Sequence, residues 1–126
     1  MPNIKAINAT AQAIYQFEGG SHPLSRNNRN NNPGNLRPYA YNMAADPDGY
    51  RTFLYQSDGW NALEMDISVK VTTHVAAGTM LDFFNLYAPG ADHNDPHGYA
   101  QFVCGWLSAA LDQTITLATP VAKIFM

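Results

Sequence analysis

From residue 21 to residue 49 the chain reads SHPLSRNNRNNNPGNLRPYAYNMAADPDG, where asparagine, proline and glycine displace the regularly spaced apolar residues that a helix or strand needs. No face of this stretch can be buried as a periodic stripe. It is therefore expected to be one long loop, with at most a short β-hairpin between GNLRPY and GYRTFLY. Loops of this length in small domains are either functional or disordered, so the rest of the chain has to supply the core and this segment is the first place to look for a site.

The flanks are helical in pattern. Ile4, Ile7, Ala11 and Ile14 keep helical spacing, the next member of their stripe is Glu18, and Gly19 and Gly20 supply a stop. A carboxylate thus ends the buried face of a first helix. Beyond the loop, Ser57 or Asp58 is expected to cap a helix reaching Ala77, with Trp60, Leu63, Ile67, Val71 and His74 in register and Gly78 as its end. Thr79 and Asp82 are spaced as an approximate capping box for a short helix through Tyr87, closed by APG. Asp95 and Pro96 are suited to cap and start a helix over His97 to Leu111. The remaining TITLATPVAKIFM is apolar, either a strand or a packed tail.

A chain of 126 residues fits one domain, here 1–126, mainly α and built as a small helical bundle around the loop. With 46% hydrophobic and 13% charged residues, it can bury a real core. A net charge of −3, with Arg26, Arg29, Arg37 and Arg51 scattered through loops, argues against nucleic acid as a partner. Cys104 is the only cysteine, which rules out an intrachain disulfide and a thiolate cluster and is expected to be a buried thiol. The N-terminus lacks the pattern of a secretory signal, and no run approaches a membrane span, so a soluble monomer without stable membrane association is expected.

Glu18 is the candidate for chemistry. A carboxyl on the apolar face at a helix C-terminus meets desolvation and the negative end of the dipole, and both disfavour its ionised form. Acid cleavage of a glycosidic bond needs such a group, because the leaving oxygen must receive a proton as the bond breaks. The plain alternative is a solvated glutamate at a frayed helix end. Asn27, Asn28, Asn30, Asn31, Asn32 and Asn35 offer uncharged donors and acceptors suited to sugar hydroxyl and acetamido groups, although most of the six are expected to shape the loop itself.

FEGG followed by RNNRNNNPGNLRPY, then FLYQSDGWNAL and LYAPGADHNDPHGYAQFV, resembles in order and spacing the lysozyme-like proteins of bacteria and phages that carry an NNPGN signature. These are distant relatives of goose-type lysozymes and soluble lytic transglycosylases, and the resemblance spans residues 7 to 113. It implies an α+β lysozyme-like fold that cleaves the β-1,4 bond between N-acetylmuramic acid and N-acetylglucosamine. Glu18 would be the acid, PGNLR would line the cleft under the scissile sugar, YAPG would be the tyrosine-containing turn, and Tyr99 would point at Glu18. Asn32, Asn35, Arg37 and Tyr87 are then the residues expected to orient acid and sugar. The family's GLMQ-type signature is missing, which leaves hydrolase and transglycosylase outcomes both open. Peptidoglycan or a related N-acetylated glycan is the implied partner, met at a secreted, extracellular or periplasmic site, phage delivery included. No metal or organic cofactor is implied.

Other residues are weaker candidates. Asp46 and Asp48 are the nearest in sequence for a second carboxylate, against a turn around Pro47 and Gly49. DHNDPH offers Asp92, His93, Asp95 and His97, but Pro96 interrupts the helical spacing, so Asn94 and His93 are expected at the cleft rim or as caps rather than around a metal. Tyr39, Tyr41, Tyr50 and Tyr55 can stack on sugars, and Trp60 is expected in the core. The negative charge gives no steering toward an anionic wall. It keeps two rivals in play, a chitin- or chito-oligosaccharide-cleaving enzyme and a non-catalytic glycan-binding or structural component of a virion or secretion apparatus.

Overall fold

The computed structural model describes residues 2–88 and 94–126. The expected APG closure, Asp92 and His93 therefore lie at least partly outside the described residues. The chain is mainly helical: α1 (Ile4–Phe17), α2 (Arg26–Arg29), α3 (Gln56–Val69), α4 (Met80–Tyr87), α5 (Pro96–Leu111) and α6 (Val121–Phe125). Among the described residues there is no strand, only two isolated antiparallel bridges.

Helix α1 starts where Asn3 accepts a hydrogen bond from the Ala6 amide, and it buries Ala6, Ile7, Thr10, Ala11, Ala13 and Ile14. Ile4, expected in that stripe, is 66% exposed because the buried face begins one turn later. Against α1 pack α5 and α3, and α4 closes on α5. The shared core includes Ile14, Leu63, Ile67, Phe83, Phe84, Val103 and Leu107.

Helix α3 begins at Gln56, with Tyr55 at the cap and no side-chain cap bond. Ser57 and Asp58 are not caps but first-turn residues, where Asp58 favours the helix dipole. The regular winding stops at Val69 and widens over Lys70–His74, where the Val75 amide bonds back five residues to Lys70. Thr72 and Thr73 return their hydroxyls to the Ser68 and Val69 carbonyls, a competition that loosens a helix at this kind of β-branched run. The expected end at Ala77 is thereby shortened, and His74 is exposed rather than in the stripe.

Helix α4 carries the full capping box between Thr79 and Asp82, and α5 is capped by Asp95, which accepts from the Gly98 amide at 3.0 Å. The C-terminal segment is a packed tail. Backbone bonds from Val121 to Gly78 and from Met80 to Thr119 dock it beside α4, and α6 buries Val121, Ile124 and Phe125.

The loop is tightly built. Asn27 donates to the Tyr15 and Pro33 carbonyls, Asn28 to those of Gly20 and His22, and Asn31 to those of Phe53 and Leu54. The expected hairpin reduces to the bridge Ala45↔Arg51, with one further bond from the Arg51 amide to the Leu36 carbonyl. A ladder does not extend because the Asn32 side chain takes the Arg51 carbonyl and the Leu36 amide and shares the Leu36 carbonyl. Gly59 lets the loop lie against α3: a Cβ there would sit 1.8 Å from the Asn31 carbonyl oxygen.

Candidate active site

Glu18 is the residue at which α1 stops. The stop is enforced by Gly19, whose φ of +109° lies in the region that side chains disfavour. This leaves the Glu18 carboxyl partly buried at the mouth of the core, and two neutral donors hold it. Tyr99 donates its hydroxyl to Oε2 at 2.7 Å, and Asn35 donates Nδ2 to Oε1 at 3.0 Å.

Tyr99 comes from the first turn of α5 and is 2% exposed. Its ring is stacked on Phe17 at 3.9 Å and Phe84 at 4.9 Å, and meets Tyr87 edge-on at 5.9 Å. Burial pushes its phenol far above the ordinary range, with the Tyr87 and Glu18 charges adding to that, so it acts at Glu18 as a neutral hydroxyl. It can donate to the carboxylate or accept from the acid.

Asn35 has a left-handed backbone, φ 49°, which asparagine tolerates better than other residues with a Cβ. That kink turns its amide toward Glu18. Gly34, just before it, accepts the Tyr87 hydroxyl at 3.1 Å, and a Cβ at Gly34 would lie 2.6 Å from that same oxygen. Tyr87 is also pushed well up, by burial first and then by the charges of Glu18 and Asp66.

These groups border a cleft of about 330 Å³, within the size range of small-molecule sites. Glu18, Gly34, Asn35 and Leu36 line it from the end of α1 and the loop, Asp66, Lys70, Leu86 and Tyr87 from α3, its wide turn and α4, Ala88 from just after α4, and Asn94 from just before the Asp95 cap of α5. Arg37 and Tyr50 complete the lining from the loop, the Arg37 guanidinium lying 4.2 Å over the Tyr50 ring.

Of the residues expected from sequence, Glu18, Tyr99, Asn35, Tyr87, Arg37 and Asn94 come together here. Asn32 and Asp46 do not. Asn32 is fully buried, and both of its amide hydrogens are spent on loop carbonyls, so it has none left for a sugar. Asp46 accepts from the Asp48 and Tyr50 amides and from Asn30 Nδ2, the geometry of a turn. Its carboxyl is held below the usual carboxylate value, first by the Asn30 hydrogen bond and then by that of Tyr50. Asp48 is exposed and paired with Arg26 at 3.2 Å. Tyr39 and Tyr41 are exposed away from the cleft, and Trp60 packs on Tyr15 at 5.1 Å beside the core. Among the described residues no three His, Cys, Asp or Glu side chains gather as metal ligands.

Sequence reasoning missed Asp66 and Lys70. They form an i,i+4 ion pair on α3 and its continuation, with side chains 28% and 20% exposed. Such a pair reads in sequence as an ordinary solvated couple. The available signal was its position: each residue lies three beyond a stripe residue, Leu63 or Ile67, at the edge of the buried face.

No family model matches the chain, and comparison with curated proteins and with solved structures found no significant match. Function therefore rests on the chemistry of this cleft.

Proposed function

We propose that this chain is a peptidoglycan-cleaving glycosidase acting on the β-1,4 bond between N-acetylmuramic acid and N-acetylglucosamine, with Glu18 as general acid. The observation that carries the reading is the Glu18 carboxyl, whose two oxygens are held by Tyr99 and Asn35 at the wall of a cleft. Glu18 gives its proton to the leaving glycosidic oxygen, and the carboxylate that results keeps two ready donors, so its charge is stabilised as it forms. Tyr99 and Asn35 are positioning residues, acting through Glu18. The second step belongs either to water or to the muramic acid 6-hydroxyl, which closes an anhydro ring, and in either case the Glu18 carboxylate takes up the proton the nucleophile releases. Asp46 and Asp48, committed to the loop turn, take no part in it.

A second reading, cleavage of uncharged chito-oligosaccharides, is favoured by the net charge of −3. Mass spectrometry of products from purified peptidoglycan and from chito-oligosaccharides, for the wild type and Glu18→Gln, separates these. Glu18→Gln is expected to lower turnover by about 10²–10⁴-fold, the usual worth of a general acid. Reducing muropeptides mean a hydrolase and anhydro-muropeptides a lytic transglycosylase. Activity on chito-oligosaccharides alone moves the reading to the second, and glycan binding without any Glu18-dependent product moves it to a non-catalytic module.

A further inference from the structure

The two aspartates of the loop turn, Asp46 and Asp48, are both committed to Arg26, whose Nε lies 3.8 Å from Asp46 Oδ2 and whose Nη2 donates to Asp48 Oδ2 at 3.2 Å. Arg37, from the same loop, has no carboxylate partner among the described residues. Its guanidinium lies 4.2 Å over the Tyr50 ring, and only Nη1 reaches protein acceptors, the Asp48 and Gly49 carbonyls at 3.4 and 3.5 Å. Gly49 permits that approach: its φ is +89°, and a Cβ there would lie 3.1 Å from Nη1. The side chain is exposed, and its Nε and Nη2 donors meet no protein acceptor among the described residues.

Arg37 and Tyr50 line the same cleft as Glu18. The other charged residues of that lining are Asp66 and Lys70, which neutralise each other as an ion pair. While Glu18 holds the proton it is to donate, Arg37 is therefore the cation left over. A net charge of −3 gives the molecule no general attraction for an anionic polymer, but a cation in the cleft acts at contact range. The planar fork of a guanidinium matches the two oxygens of a carboxylate, and stacking on Tyr50 limits the freedom that binding would cost.

We infer that Arg37, held on Tyr50, is a specificity-determining residue whose Nε and Nη2 donate to a carboxylate of the substrate's muramyl unit. That carboxylate is the lactyl group where the sugar carries no peptide, or one from the stem peptide where the lactyl group is amidated. N-acetylglucosamine has neither. The inference rests on the reading of the cleft as a glycosidase site.

The test is calorimetric titration of Glu18→Gln, with and without Arg37→Gln, using three ligands: a peptide-free tetrasaccharide of alternating N-acetylglucosamine and N-acetylmuramic acid, its peptide-substituted counterpart, and chitotetraose. Loss of a charged, two-point contact is expected to weaken a carboxylate-bearing ligand about 10–100-fold, and to narrow its Kd ratio to chitotetraose by the same factor. A loss on the peptide-free ligand assigns the lactyl carboxylate, and a loss on the peptide-substituted ligand alone assigns the stem. Arg37→Lys, which keeps the charge but not the fork, is expected to recover part of the loss. Unchanged Kd values in folded Arg37→Gln, equal losses on all three ligands, or binding of chitotetraose alone overturns the role of Arg37. Should Arg37→Gln not fold, a salt series on Glu18→Gln decides: binding of the carboxylate-bearing ligands weakens with salt while that of chitotetraose holds, and parallel behaviour overturns the inference. If folded Glu18→Gln binds none of the three, the glycan reading itself fails.

Discussion

Tyr99 is the residue on which geometry and chemistry meet most directly, since its ring is clamped by Phe17 and Phe84 while its hydroxyl reaches Glu18. Tyr99→Phe keeps the stack and removes only the hydrogen bond. With about 1.5–3 kcal/mol for a bond to a charged group, kcat is expected to fall roughly 10–100-fold with KM unchanged. Steady-state kinetics beside a melting curve would check this; an unchanged kcat in the folded variant would mean that the residue serves packing alone. Asp46 makes a prediction of another kind. Its folded carboxyl titrates below the ordinary 3.8, chiefly through Asn30, so the stability it contributes is present above that value and lost as pH falls through the depressed one. Asp46→Asn is therefore expected to unfold at lower urea concentration than wild type at about pH 7, and the two midpoints should converge as the pH drops below the carboxylate range. Midpoints that stay parallel across the whole pH range would contradict the linkage.

At the level of elements, the loop and α3 are joined by a backbone contact that a methyl group would break. Gly59→Ala would put Cβ 1.8 Å from the Asn31 carbonyl oxygen and 2.9 Å from its carbon. Backbone cannot swing aside as a side chain can, so a loss of about 3 kcal/mol or more is expected in urea unfolding. Activity should fall as well, because Asn31 and Asn32 carry the loop that presents Asn35. The helices with local end signals were legible: Gly19 and Gly20 follow the end of α1, Thr79 and Asp82 box α4, and Asp95 and Pro96 start α5. The long loop was recognised as irregular but not as a network, and α2 inside it was not expected. Four residues with few apolar neighbours leave no periodic trace, since α2 exists only because the amides around it are satisfied by other parts of the chain.

On the scale of the whole molecule, the cleft draws on α1, the loop, α3, α4 and the start of α5, which are far apart in sequence and meet only because α1 packs on both α3 and α5. The same core encloses Cys104, 2% exposed, and burial pushes its thiol up to about 11. Alkylation by iodoacetamide at neutral pH is therefore expected to be slow in the native protein and fast in denaturant, as mass spectrometry would read out; rapid native labelling would show that α5 opens readily. What the sequence determined by itself is whatever depends on near neighbours: helical periodicity, caps, the stop at Gly19, and hence Glu18 at the end of a buried face. Tertiary structure alone decided which polar residues face the cleft. Asn32 and Asn35 are three residues apart and chemically identical, yet one is consumed by loop carbonyls and the other reaches Glu18. Asp66 looked like a surface ion pair until folding set it against the cleft. Both outcomes hinge on where distant donors and acceptors come to lie, and a hydrogen bond between residues far apart in the chain leaves no mark on the spacing of either one.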